Sequence, residues 1–277
     1  MIRKVLLACV VAALALSCRI GMAADKSDPK SDLQTVVNKI KGKLGEGKKT
    51  EADLAEDLKQ FDVLLEKYKG KKTDEVAEIL FMKALLYLEV FQNTEKGLEF
   101  TLQLKNDFPD SERGKGAGNT IAMIQKQENA KKLQQSLVAG AVFPDFEEKD
   151  TAGKPLSIAG YKGKVVLVDF WATWCGPCVA ELPNVLKTYE KFHGKGFEIV
   201  GISLDKDEQA LGAFTKKRSM PWQQYFDGKG WENKLAEKYG VLSIPATFLL
   251  DGEGKIIARD LRGEALEAEV AKLLEKP

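Results

Sequence analysis

Two cysteines three positions apart, Cys175 and Cys178, are the residues of this chain whose type and spacing could do chemistry. They follow an apolar, β-branched run, Val165-Val166-Leu167-Val168, which suits a strand buried on both faces. After Trp171-Ala172-Thr173-Trp174 and Cys175-Gly176-Pro177-Cys178 the pattern turns helical. A Cys-x-x-Cys pair that opens a helix behind a buried strand points to redox exchange. The free N–H groups and partial positive charge of a helix N-terminus stabilise a thiolate. Cys175, the outer cysteine, is the expected nucleophile. Cys178, one turn in, is the expected resolving thiol that attacks the mixed disulfide. Pro177 fits a first helical turn, where no intrahelical N–H is needed. Zinc competes poorly for the pair, because after residue 23 the chain offers only these two cysteines and His193. A purely structural bridge over two intervening residues closes too small a loop to remove much unfolded-chain entropy. No metal and no organic cofactor is expected.

The run VDFWATWCGPC resembles the thioredoxin superfamily, and its longer context is similar to the extracytoplasmic TlpA/ResA-like thiol–disulfide oxidoreductases. The resemblance covers residues 138–277 and implies an α/β thioredoxin fold, a mixed central sheet with helices on both faces. It implies a cis Ile244–Pro245 bond facing the cysteines, with Ile244 and Pro245 pairing with an extended substrate chain. Trp174, Gly176 and Pro177 complete the expected substrate surface. It also implies a buried Asp169 that assists proton transfer to and from Cys178, and a Glu181 near the pair. A carboxyl inside an apolar strand is costly unless paired or functional, and burial should raise its pKa. Thioredoxins add a lysine on the neighbouring strand; Ile199 to Leu204 has none, so the proton relay is expected to differ. His193 falls at the end of the redox helix, too far along to serve Cys175 as a base.

The rest of the chain must position and deliver this motif. Its 277 residues are 44% hydrophobic and 30% charged, enough for about two globular domains. A net charge of +1 implies neither a nucleic-acid groove nor a polybasic membrane patch. Arg3-Lys4, the apolar run Val5 to Ser17 and Gly21-Met22-Ala23 read as a secretory signal peptide over 1–23, cleaved after Ala23. Acylation at Cys18 is the weaker fit, since Ala15 stands where a lipobox usually has Leu. Export removes Cys9 and Cys18 and leaves the redox pair alone, so the fold has no disulfide framework. The expected location is periplasmic or otherwise extracytoplasmic.

Residues 24–49 are rich in Lys, Asp, Gly and Ser and read as a flexible leader with one short helix near Leu33 to Ile40. Residues 50–137 read as an all-α domain of helical hairpins. Leu54, Leu58, Phe61, Leu65 and Tyr68 share one helical face, Thr73 and Asn93 or Thr94 are caps, and a weaker fourth helix spans Asn119 to Leu137. The endings at Tyr68-Lys69-Gly70 and Phe108-Pro109-Asp110 weakly resemble a tetratricopeptide-type array, which would imply a docking platform for a partner protein. A bundle that packs on or spaces out the redox domain is the simpler reading of the pattern and the one preferred. Gly114 to Gly118 resembles a phosphate loop only in composition, and it reads as a flexible turn.

In the redox half, 138–277, the expected order is an opening hairpin, the strand from Val165, a helix from Pro177 to Phe192 kinked at Pro183, and a second buried strand, Phe197 to Leu204. A helix from Asp207 to Arg218, a loop from Trp222 to Gly230 and a helix from Trp231 to Tyr239 follow. A hairpin about Asp251 to Gly254 and a helix from Glu264 to Glu275 close the chain.

The function expected is an exported enzyme that exchanges dithiols for disulfides in protein substrates, most simply as a reductase. The resemblance implies a membrane electron donor of the DsbD/CcdA type, with apocytochrome c among the family's substrates. Two alternatives differ in class. A thiol peroxidase of related fold needs Thr-x-x-Cys, and Thr173 is two residues before Cys175 rather than three. A partner-binding scaffold would make the helical half the working part.

Overall fold

The computed structural model describes residues 28–275. The signal peptide read over 1–23 and Cys18 lie outside the described residues. The chain divides into two compact units, the second beginning at Gln127.

The first unit is helical. The stretch read as a flexible leader with one short helix near Leu33 to Ile40 carries a longer, 17-residue helix, α1 (Pro29–Gly45). The side chain of Asp28 accepts the N–H groups of Lys30 and Ser31, and Pro29 sits in the first turn. Leu33, Val36, Val37 and Ile40 then form a buried stripe that the charge-rich composition hides. Next come α2 (Ala55–Lys67), α3 (Asp74–Leu85) running into one π-helical turn at Leu86–Val90, and α4 (Thr94–Asp107). Leu54, Phe61, Ile79 and Leu80 are fully buried in their shared core, each worth about 1.5–3 kcal/mol relative to exposure.

The helix α5 (Glu112–Ser136) starts earlier than its apolar pattern suggests and absorbs Gly114 to Gly118. Those residues are helical rather than a flexible turn. Ser111 accepts the Gly114 N–H at 2.9 Å, and a Cβ at 114 would collide with the Phe108 carbonyl. Glycine is therefore what lets the helix begin there.

The second unit is a five-stranded mixed sheet in the order β5-β4-β3-β6-β7. A two-stranded hairpin of β1 (Glu148–Lys149) and β2 (Pro155–Leu156) precedes it. The central strand is β3 (Val165–Trp171). It pairs parallel with β4 (Phe197–Ser203) and antiparallel with β6 (Ala246–Leu250). The edges are β5 (Gln223–Phe226), parallel to β4, and β7 (Ile256–Arg259), antiparallel to β6. Helices α6 (Gly176–Phe192) and α9 (Gly263–Leu274) pack together, and Leu167, Asp169 and Trp171 line a cavity with residues of both. Side chains alternate along a strand. Phe170 accordingly faces the other side, where it meets Tyr239 and Phe248 at ring separations of 6.0 and 6.1 Å.

Two expectations change. The loop read from Trp222 to Gly230 contains β5, because Gln224 and Tyr225 are buried at the sheet edge. The helix read from Trp231 to Tyr239 is a 3-10 turn at Gly230–Glu232 and then α8 (Lys234–Lys238). Buried Asn233 interrupts them, since its carbonyl Oδ1 accepts the Leu235 and Ala236 N–H groups as a helix cap at 3.0 Å. The remaining helix of this unit, α7 (Glu208–Lys217), is capped by Asp207.

Candidate redox site

Cys175 is the N-cap of α6, where β3 delivers the chain out of the sheet. It is joined to Cys178 by a disulfide with Cα atoms 5.3 Å apart. The Cys175 Sγ accepts the Cys178 N–H at 3.2 Å, so the sulfur lies on the helix N-terminus. Both cysteines are nearly buried, 5% and 7% exposed, with Cys175 in the cap position and Cys178 inside the first turn.

The loop ahead of the pair is held from a distance. The Asp205 carboxylate, just past β4, accepts the Thr173 N–H at 3.1 Å, the Thr173 Oγ1 hydroxyl at 2.6 Å and the Ser203 hydroxyl at 2.8 Å. Asp205 is 3% exposed. Its only mark in the sequence is an acid directly after the apolar run that ends at Leu204. Trp171 is core and donates from Nε1 to Gln224 at 3.0 Å, whereas Trp174 is 54% exposed. Trp231 stands beside Trp174 with ring centroids 6.0 Å apart.

Beneath the pair lies a cavity of about 10 Å³, lined by Asp169, Cys178, Glu181, Pro245 and Arg262 among others. That is about the room one water needs. Asp169 is half-buried in β3, and burial raises its pKa from 3.8 to about 7. The Arg262 charge opposes that rise and the Glu181 charge adds to it. Glu181 itself is engaged: its carboxylate accepts the Gly263 N–H at 2.6 Å and an Asn184 amide hydrogen at 3.2 Å.

The Ile244–Pro245 bond is cis, as the resemblance implies. Arg262 donates to the Pro245 carbonyl at 3.0 Å and to the Thr247 hydroxyl at 2.9 Å. Thr247 is the β6 partner of Asp169 in the sheet register. Arg262 thus supplies the cation that β4 lacks, from the turn before α9. No local pattern marks it, for it comes from 93 positions beyond Asp169 in sequence. His193 lies past the end of α6, half exposed, stacked on Tyr189 and 3.4 Å from Glu198. It takes no part in the site.

A thioredoxin-type sheet with a disulfide-forming Cys-x-x-Cys on its first crossover helix defines a thiol–disulfide oxidoreductase. Residues 139–259 match the AhpC/TSA family model. A thiol-disulfide oxidoreductase ResA of Bacillus thuringiensis subsp. konkukian is 33% identical over 143 residues, 52% of this chain and 80% of that protein. The thioredoxin-like protein YneN of Bacillus subtilis is 34% identical over 128 residues, 45% of this chain and 72% of that protein. Among solved structures, the thioredoxin domain of a Bacteroides vulgatus thiol-disulfide oxidoreductase is 38% identical, covers 50% of this chain and 100% of its own, and has a TM-score of 0.47. The chain belongs to the family of the ResA thiol–disulfide oxidoreductases.

Proposed function

We propose that this enzyme is exported and reduces disulfides in protein substrates. The observation that carries the reading is the grouping around one small cavity of Cys178, Asp169 and the cis-Pro245 loop, with Cys175 on the helix N-terminus above it. In the reduced enzyme the Cys175 thiolate attacks a substrate disulfide. A mixed disulfide forms, and the substrate's other sulfur leaves as a thiolate that takes a proton. Asp169 accepts the Cys178 proton through a water in the cavity. The Cys178 thiolate attacks the Cys175 sulfur, the protein disulfide closes, and the second substrate thiolate departs and takes a proton in its turn. Two electrons and two protons pass to the substrate.

Trp174, Gly176 and Pro177 offer the substrate a face around Cys175, and Ile244 and Pro245 offer it backbone to pair with. Recharging the disulfide requires an electron donor, and the family resemblance supports one of the DsbD/CcdA type in the membrane. The Gly-Pro pair between the cysteines supports the reductive direction.

The test is the reduction potential of the Cys175–Cys178 pair, by equilibration in dithiol or glutathione buffers with thiol trapping. A value near thioredoxin's, about −270 mV, is expected; one near that of the oxidant DsbA, about −120 mV, would reverse the assigned direction.

A further inference from the structure

A groove of about 570 Å³ opens beside Pro245, and Pro245 and Arg262 line both it and the cavity under Cys178. One wall is the last turns of α5, from Ala130 to Gln134. That wall is fastened in place. Gly240 has φ +64°, and a Cβ there would lie 2.7 Å from the Ala130 carbonyl oxygen, so only glycine admits the helix so closely. Gln134 donates to the Gly240 carbonyl at 2.9 Å. Arg259 donates to the carbonyls of Gln134 and Leu137 at 3.1 and 3.3 Å, and also to the Gln134 side-chain oxygen.

The lining carries a surplus of positive charge. Lys131, Arg259 and Arg262 face one carboxylate, that of Asp260. The acceptors of Arg259 are all uncharged. The hydrogen-bond acceptors of Arg262 are likewise neutral, and Asp260 forms a long, partly exposed ion pair with it at 3.8 Å. The C-terminal end of α5 offsets part of the Arg259 charge. Lys131 is exposed, and it and Arg262 set the rest of the surplus. In a chain whose net charge is only +1, this concentration belongs to the groove. Leu242, 49% exposed, adds an apolar shelf.

We propose that this groove holds an acidic, extended segment of the protein substrate, next in sequence to the disulfide under attack. The proposal rests on the disulfide-reductase reading above. A peptide that pairs with the Pro245 loop continues into the groove, where its carboxylates meet Lys131 and Arg262. Such charges accelerate encounter and are screened by salt.

The test uses the full chain, reduced beforehand and freed of reductant. Two synthetic disulfide-bonded peptides are compared, identical except that glutamates flank the cysteines in one and glutamines in the other. The glutamate peptide is expected to react about threefold to tenfold faster at low ionic strength, with the two rates converging at high salt. Lys131→Glu should abolish or reverse that preference. Equal rates for the two peptides at low salt, or a preference that Lys131→Glu leaves intact, would overturn the proposal. Reduction of neither peptide would bring down the reductase reading, and the role of the groove with it.

Discussion

The Glu181 carboxylate accepts the Gly263 backbone N–H at 2.6 Å, which ties the redox helix, one turn past Cys178, to the start of α9. The N-cap residue of α9, Arg262, makes no side-chain cap of its own, so Glu181 supplies it from another helix. The same carboxylate raises the Asp169 pKa while Arg262 lowers it. Glu181→Gln keeps an acceptor for Gly263 and removes the charge. It should cost less than about 1 kcal/mol of stability. It should also move the pH profile of disulfide exchange to lower pH, because the charge that raises Asp169 is gone. An unmoved profile would reduce Glu181 to a cap.

Asp169 carries a stability signature of opposite sense to an ion-paired carboxylate. Its folded value, about 7, lies above the 3.8 of the unfolded chain. Its stabilising balance is therefore complete below pH 3.8 and is lost as pH rises through about 7. Asp169→Asn should match the parent protein at acid pH and exceed it above neutrality, by up to about 4 kcal/mol. Urea unfolding at both ends of that range measures the difference. Exchange at neutral pH should meanwhile slow, since the proton acceptor for Cys178 is removed. A stability difference constant with pH would contradict the assignment.

Asp205 acts through Thr173 rather than on the sulfurs. Asp205→Ala leaves the Thr173 N–H and two hydroxyls without their acceptor. A loss of about 1–3 kcal/mol is expected. The reduction potential should shift as well, because the loop that presents Cys175 loses its anchor. Asp205→Asn retains an acceptor and should restore most of the stability. Loss of stability with an unchanged potential in Asp205→Ala would confine Asp205 to holding the fold.

What was legible in the sequence was local. Cys175, Cys178, the apolar run of β3, the cap at Asn93 and the proline before β6 each declare themselves within a few residues. Arg262 and Asp205 do not, because they act on residues far along the chain, Asp169 and Thr173. The strand β5 reads as loop because Gln223-Gln224-Tyr225-Phe226 has no strand pattern of its own; the edge of β4 makes it one. The helix α1 reads too short, as a brief helix near Leu33 to Ile40, because its apolar stripe is set among lysines and glycines. The surroundings of Asp169 are half visible: the acid stands out in its strand, but the cation that moderates it arrives from the turn before α9.

The attachment at Gly240 bears on how the protein can be dissected. Residue 138, where the family resemblance begins, looks like the natural place to cut. A fragment that starts there loses Gln134 and Leu137, and with them all three acceptors of Arg259, the donor to the Gly240 carbonyl and a residue of the sheet's own core. The excised piece would expose a bare glycine seam and an unsatisfied guanidinium, and would melt below a fragment that begins at Gln127. The practical border of the redox unit thus falls inside a helix rather than in a linker.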